Sequence, residues 1–166
     1  VNEEDIVPLA DYAVHHGAQL RFIEQMPLGP REQWRREDMV TAEDILARLR
    51  THFSMTPARE PRGSAPAALW EVSAPDGTHG TLGIIASVPP PFCGDCDRTR
   101  LTTDGAIRNC LFGNSETPLR DLLRSGASDA EIMEAWAGEM WTKKPGHGID
   151  DEGFLQPDRP MSAIGG

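Results

Sequence analysis

Apolar and polar positions along the chain follow two rhythms. Ile6, Leu9, Ala10, Ala13 and Val14 recur at helical spacing, behind Asn2 as an N-cap and the first-turn acids Glu3, Glu4 and Asp5. The pattern predicts a helix that stops at Gly17, with Pro8 kinking or shortening it. Residues 18–24, AQLRFIE, switch period: Leu20 and Phe22 alternate with Arg21 and Ile23, as a strand requires. Helix, turn and strand make the rhythm of an α/β unit with a parallel sheet. In such sheets function gathers at the C-terminal strand ends, here Glu24 to Met26. Residues 27–40 show no period and predict a loop. Thr41 with Asp44 forms a short capping signature, and Ile45, Leu46, Leu49 and Phe53 an apolar face, which predicts a helix over 41–52. The stretch 54–69 holds three prolines, one glycine and two serines, and predicts a linker or flexible loop.

From Leu69 onward hairpins are expected. Trp70–Val72 and Thr81–Ile85 flank a Pro75-Asp76-Gly77 turn, and Pro89-Pro90-Pro91 then delivers the chain to Cys93. A second hairpin joins Arg98–Thr103 to Ala106–Cys110 through Asp104-Gly105. With a two-residue turn, Thr103 pairs with Ala106 and Thr99 with Cys110. That register brings Cys110 beside the strand leaving Cys96 and sets Arg98 and Arg100 on the face opposite Cys110. Thr117 as N-cap with Pro118 at the first helical position opens a helix whose apolar face is Leu119, Leu122 and Leu123 and whose stop is Gly126. Ser128 with Glu131 is a capping box for a helix through Ile132, Ala135, Trp136 and Met140, whose C-terminal end suits Lys143 and Lys144. The expected division is 1–53, a linker at 54–69, a hairpin and helix region at 70–144, and a tail at 145–166.

Composition narrows the partners. Sixteen basic against 26 acidic residues give a net charge of −10, so the surface repels nucleic acid and anionic membranes. Any bound anion must be met by local arginines. No apolar run nears a membrane span and no signal-like N-terminus is visible, so a soluble, cytoplasmic protein is expected. The start at Val1 without Met fits a processed or excised piece.

The candidate chemistry lies in Phe92 to Phe112, FCGDCDRTRLTTDGAIRNCLF, which holds all three cysteines in the pattern C-x2-C-x13-C. Arg98, Arg100 and Arg108 are threaded between them. Thiolates select zinc, copper(I) or iron–sulfur clusters. A zinc site needs a fourth ligand such as His147 or Asp97. A [4Fe–4S] cluster on three cysteines leaves one iron open beside the arginines. Spacing leaves zinc and iron–sulfur both open, with buried inert thiols as the plainer alternative and solvated strand charges as the plainer reading of the arginines. A ferredoxin-type electron carrier lacks its fourth cysteine. Glu24, His147, Trp136 and Trp141 read as structural, and the chain is too long and helical for a sulfur carrier ending in Gly-Gly.

The run FCGDCDRTRLTTDG…CLF closely resembles the C-terminal cluster motif of the molybdenum cofactor biosynthesis protein A family, the radical SAM GTP 3′,8-cyclases. RFIEQMPLG at 21–29 resembles the family's Arg-Phe-Ile-Glu-x-Met strand, LLRSGASDAEI at 122–132 the helix after the cluster, and Ile164-Gly165-Gly166 the family's C-terminus. The resemblance implies an α/β chain: the last βα units of an incomplete TIM-type barrel, followed by an α+β lobe whose β-hairpins carry an iron–sulfur site. It implies a [4Fe–4S] cluster on Cys93, Cys96 and Cys110, with its open iron meeting the guanine of GTP. Arg98 and Arg100 would hold the triphosphate, with Arg21 lining the same cavity. Backbone near Met26 and Ile85 would seat S-adenosylmethionine, and Gly165 and Gly166 would enter the active site as a tail. The family's C-x3-C-x2-C motif for a second [4Fe–4S] cluster is absent. The chain therefore resembles a C-terminal half that alone cannot cleave S-adenosylmethionine. A homodimer in full-length form, the missing N-terminal half and the next enzyme of the cofactor pathway are the implied partners. A non-catalytic zinc or iron–sulfur module is the rival reading. An open edge and uncovered apolar surface are expected at the strand 18–24.

Overall fold

A computed structural model describes residues 2–30, 34–88, 93–149, 152 and 154–164. The chain is mixed α/β and divides into two units: Val1–Met26 with Arg36–Phe92, and Pro27–Arg35 with Cys93–Gly166. The Pro89-Pro90-Pro91 interruption and the terminal Gly165 and Gly166 lie outside the described residues.

The first unit is a sheet faced by helices. A 3-10 turn at Glu3–Asp5 leads into α1 (Ile6–His15). Pro8 does not break α1, because it falls in the first turn, where backbone N–H groups have no intrahelical partner. Gly17 takes φ +66°, and the Ala18 amide folds back onto the Ala13 carbonyl at 2.9 Å to close the helix. Strand β1 (Arg21–Ile23) follows, then α2 (Ala42–Leu49), capped by the reciprocal Thr41–Asp44 box. Strands β2 (Ser54–Pro57), β3 (Ala68–Ser73) and β4 (His79–Ile85) complete a sheet of order β1-β4-β3-β2. Val72, Leu82 and Ile84 pack with Ala10, Val14, Ile45, Leu49 and Phe53 in one core. Leu49 and Leu82 are wholly buried, each stabilising by roughly 1.5–3 kcal/mol.

Two expectations are corrected here. The sheet is mixed: only β1 and β4 run parallel, because the β3–β4 hairpin and the β2–β3 pair are antiparallel. The proline-rich stretch 54–69 is not wholly loop. Its first residues form β2, paired Ser54↔Ser73 to Pro57↔Trp70, and its last begin β3. Pro57 is tolerated because β2 is an edge strand, where a missing N–H breaks no ladder on its outer side. Strand β1 is the other edge, with Arg21 and Ile23 exposed and Phe22 turned to the core. Among the described residues β1 pairs with β4 alone, so its other edge is unpaired there, as anticipated for the strand at 18–24.

The second unit holds β5 (Arg100–Leu101), β6 (Ala106–Arg108) and β7 (Thr117–Pro118) in one antiparallel sheet, with α3 (Leu119–Arg124) and α4 (Asp129–Trp141). The Ser128–Glu131 capping box opens α4 as expected. Thr117 and Pro118 are strand rather than helix start, with Pro118 at the cap of α3. Leu123 is 61% exposed and Trp141 89% exposed, so neither belongs to a core. Buried Ile107, Leu119, Ile149 and Ile164 share this unit with buried Thr102, Arg108, Asn109 and Glu139.

The β5–β6 hairpin differs by one residue from the expected register. Arg100 faces Arg108 and Leu101 faces Ile107. The Thr102 amide donates to Ala106 O at 2.8 Å, closing a three-residue turn, Thr103-Asp104-Gly105, with Gly105 at φ +82°. A three-residue loop ending on a left-handed glycine displaces the two-residue turn. A one-residue slip exchanges faces. Arg100 therefore lies on the same side as Arg108, and the separation of the arginines from Cys110 by face does not hold.

Candidate functional site

In the second unit the chain leaves Cys93 in a turn, the Cys96 amide donating to Cys93 O at 3.1 Å. All three cysteines are free thiols of intermediate exposure. They sense one another. Burial pushes the Cys93 thiol above its ordinary pKa, and Cys110 and Cys96 push it further, against Arg98 and the His147 backbone amide. At Cys96 burial also opposes ionisation, but the Arg98 backbone, its side chain and its charge, with Lys143 behind them, bring the thiol pKa below normal. The Arg98 guanidinium donates from Nε and Nη2 to Cys96 Sγ at 3.3 and 3.2 Å. Arg100 has its pKa lowered by burial and by Arg98, with Cys110 opposing. The sequence-predicted Cys93, Cys96, Cys110, Arg98 and Arg100 are therefore brought into one neighbourhood. As they stand, no group of three or more His, Cys, Asp or Glu among the described residues is gathered closely enough to hold a metal ion.

The donor set fits a thiolate-bound centre. All three sulfurs are free, and at Cys96 the adjoining Arg98 cation favours the thiolate. His147, a possible fourth ligand, has its Nδ1 accepting from the Ile149 amide at 3.2 Å and its ring against Phe112, with centroids 4.6 Å apart. Arg108 is not a solvated strand charge: it is 1% exposed and donates to Glu116 Oε1 at 2.7 Å and to the Gly113 carbonyl, while its Nε has no partner among the described residues.

Two groups were illegible from sequence. Arg159 donates to both oxygens of Glu116 at 3.0 and 2.9 Å, to Asp104 at 3.2 Å and to Ala163 O at 2.9 Å, tying the last residues to the hairpin turn. Thr102 and Arg159 together hold the Asp104 pKa down to about 2. Lys143, expected only to complement the end of α4, instead turns its ammonium onto the carbonyls of Arg98 and Asn109. Each group reaches a partner more than forty residues away, which no local pattern records.

The remaining candidates belong to the first unit. Arg21 lies opposite Gly83 on β1, its guanidinium donating to Gln19 Oε1 at 3.1 and 2.8 Å. Ile85 pairs with Ile23 at the C-terminal ends of the two parallel strands, and Met26 follows two residues after Glu24. Glu24 is a structural bolt there: 1% exposed, it accepts from the amides of Ala42 at 2.7 Å, Ser87 at 2.7 Å and Val88 at 2.9 Å. No helix among the described residues is long and apolar enough to cross a membrane.

The chain is similar to several known proteins. A GTP 3′,8-cyclase of Corynebacterium glutamicum is 75% identical over the whole of this chain, which covers 45% of that protein. One from Mycolicibacterium smegmatis is 57% identical over 98% of the chain and 45% of its own length. GTP 3′,8-cyclase 2 of Mycobacterium bovis is 56% identical, with 46% of its length covered. The chain thus spans about half the length of these curated relatives. The family profile described as Molybdenum Cofactor Synthesis C matches residues 18–149, and the chain belongs to that family.

Proposed function

We propose that this chain is the substrate-side part of a GTP 3′,8-cyclase of molybdenum cofactor biosynthesis, a radical SAM lyase acting in the cytoplasm. The carrying observation is the Cys93, Cys96 and Cys110 motif, with Arg98 bonded to the Cys96 sulfur, in a chain 75% identical to a GTP 3′,8-cyclase. Cys93, Cys96 and Cys110 hold a [4Fe–4S] cluster. When bound, a cluster with one iron lacking a protein ligand supplies an open coordination position for the guanine. Arg98 and Arg100 hold the triphosphate by charge-assisted bonds, with Arg98 leaving Cys96 for phosphate, and Arg21 on β1 is a further GTP-binding residue. The backbone at Met26 and Ile85 seats S-adenosylmethionine at the ends of β1 and β4, and Gly165 and Gly166 form the active-site tail. β1 and α2 derive from the end of an incomplete barrel. S-adenosylmethionine cleavage needs a second [4Fe–4S] cluster held by the rest of a homodimeric full-length protein, and the product passes to the next enzyme of the pathway.

Titration calorimetry with GTP on the cluster-loaded chain tests the clamp. Arg98→Ala and Arg100→Ala each weaken binding by about 1.5–3 kcal/mol, as loss of a hydrogen bond to a charged group requires. Unchanged affinity in both overturns the assignment. The chain alone forms no 5′-deoxyadenosine from S-adenosylmethionine, and robust production contradicts that division of labour.

A further inference from the structure

The C-terminal turn of α4 grips both arms that carry the cysteines. Lys143 Nζ donates to the carbonyl of Arg98 at 2.6 Å and to that of Asn109 at 2.5 Å. Arg98 lies two residues after Cys96, and Asn109 immediately precedes Cys110. The buried Asn109 side chain donates in turn to Glu139 O at 2.9 Å and to Thr142 Oγ1 at 2.7 Å. Thr99 Oγ1 donates to Met140 Sδ at 3.1 Å. The β5–β6 ladder ends at the Arg100↔Arg108 pair. Beyond it the helix end bonds to both arms.

An ammonium has donors and no acceptor, so two carbonyls from different strands can share it without competing. On the surface such a lysine would keep water and contribute little. Half-buried between two carbonyls, it gives up rotamer freedom to hold one geometry.

We infer that Lys143 is the positioning residue that sets the separation of Cys96 from Cys110, and with it the capacity of the three thiolates to share one centre. The inference rests on the cysteine-site reading above, and a probe independent of iron separates the two. Arsenite condenses with three thiols to one trigonal As(SR)3 and three waters, with no change of oxidation state. Titration of the reduced full 166-residue chain, followed by thiolate-to-arsenic absorption, is expected to give one arsenic per chain. Lys143→Met is expected to weaken that binding at least about tenfold, the scale of an outer-shell loss at a metal site. Lys143→Arg, which keeps a cation and its donors, recovers most of it. Circular dichroism confirms that each variant folds; if Lys143→Met does not, Lys143→Gln is compared in the same way. Equal arsenite affinity in wild type and the folded neutral variant overturns the role of Lys143. If Cys110→Ser binds arsenite as tightly as wild type, the three thiols do not converge and the cysteine-site reading itself fails.

Discussion

The two units are stabilised by different physics. The first is a layer of helices on a sheet, and its core of Ile6, Ala10, Val14, Ile45, Leu49, Phe53, Val72, Leu82 and Ile84 is apolar throughout. Its buried acid, Glu24, is fully satisfied by backbone amides. The second unit buries Arg108, Asn109, Thr102 and Glu139 beside a thinner set of apolar residues, and ties its hairpin, helix end and tail together through charged side chains. Non-directional burial holds a shape cheaply, but directional bonds fix distances. The unit that carries the cysteines and Arg98 is the one built on directional bonds.

The comparison breaks most clearly in the first core. Phe53→Ala, at 3% exposure, is expected to destabilise by about 3–5 kcal/mol through lost burial and the cavity left behind. Urea unfolding monitored by circular dichroism reads this, and a loss below about 1 kcal/mol would contradict an apolar first unit. In the second unit Glu116→Ala removes the ion-pair partner of buried Arg108 and one of the two partners of Arg159. Because a charge is then left buried, the loss is about 3 kcal/mol. The double substitution Glu116→Ala/Arg108→Met is expected to recover part of it, which a simple packing loss would not allow.

A smaller effect sharpens the hairpin. Gly105→Ala places a Cβ at φ +82° and 2.5 Å from Arg120 Cβ. The left-handed conformation alone costs about 1–2 kcal/mol, so thermal unfolding should show at least that loss. A neutral substitution would contradict the left-handed conformation at Gly105 and its close approach to Arg120.

The smallest expected effect is electrostatic and lies in the first unit. His15 Nε2 meets Asp76 at 2.9 Å, and that bond, with the Asp11 carbonyl, raises the His15 pKa from its ordinary 6.5. A group raised on folding stabilises fully below 6.5 and loses that contribution as pH rises through its folded value. Asp76, drawn down to about 2 by the Thr78 amide and then by His15, stabilises above 3.8 and loses this as pH falls toward 2. His15→Gln should therefore flatten the fall in thermal midpoint as pH rises above 6.5. An identical pH profile in the variant would remove the pair from the account.

What was legible in the sequence was local. The two capping boxes, at Thr41–Asp44 and Ser128–Glu131, specify their helix starts within four residues. The Asp104-Gly105 turn was visible, but the register was not, because one left-handed glycine serves two-residue and three-residue loops alike. Strand β2 was hidden by Pro57, whose cost vanishes only once β2 is known to be an edge. The cysteines and arginines of the site were legible through their dense clustering. Lys143, Glu116 and Arg159 were not, since each acts on residues distant in the chain and only the folded hairpin brings them there.

The central claim is that three cysteines beside an arginine pair hold an open iron for GTP. Anaerobic reconstitution followed by iron and sulfide analysis, and by EPR of the reduced sample with and without GTP, tests it most directly. The account predicts about four irons per chain and a signal that changes when GTP is added. Zinc in place of iron, or a cluster signal indifferent to GTP, would contradict it.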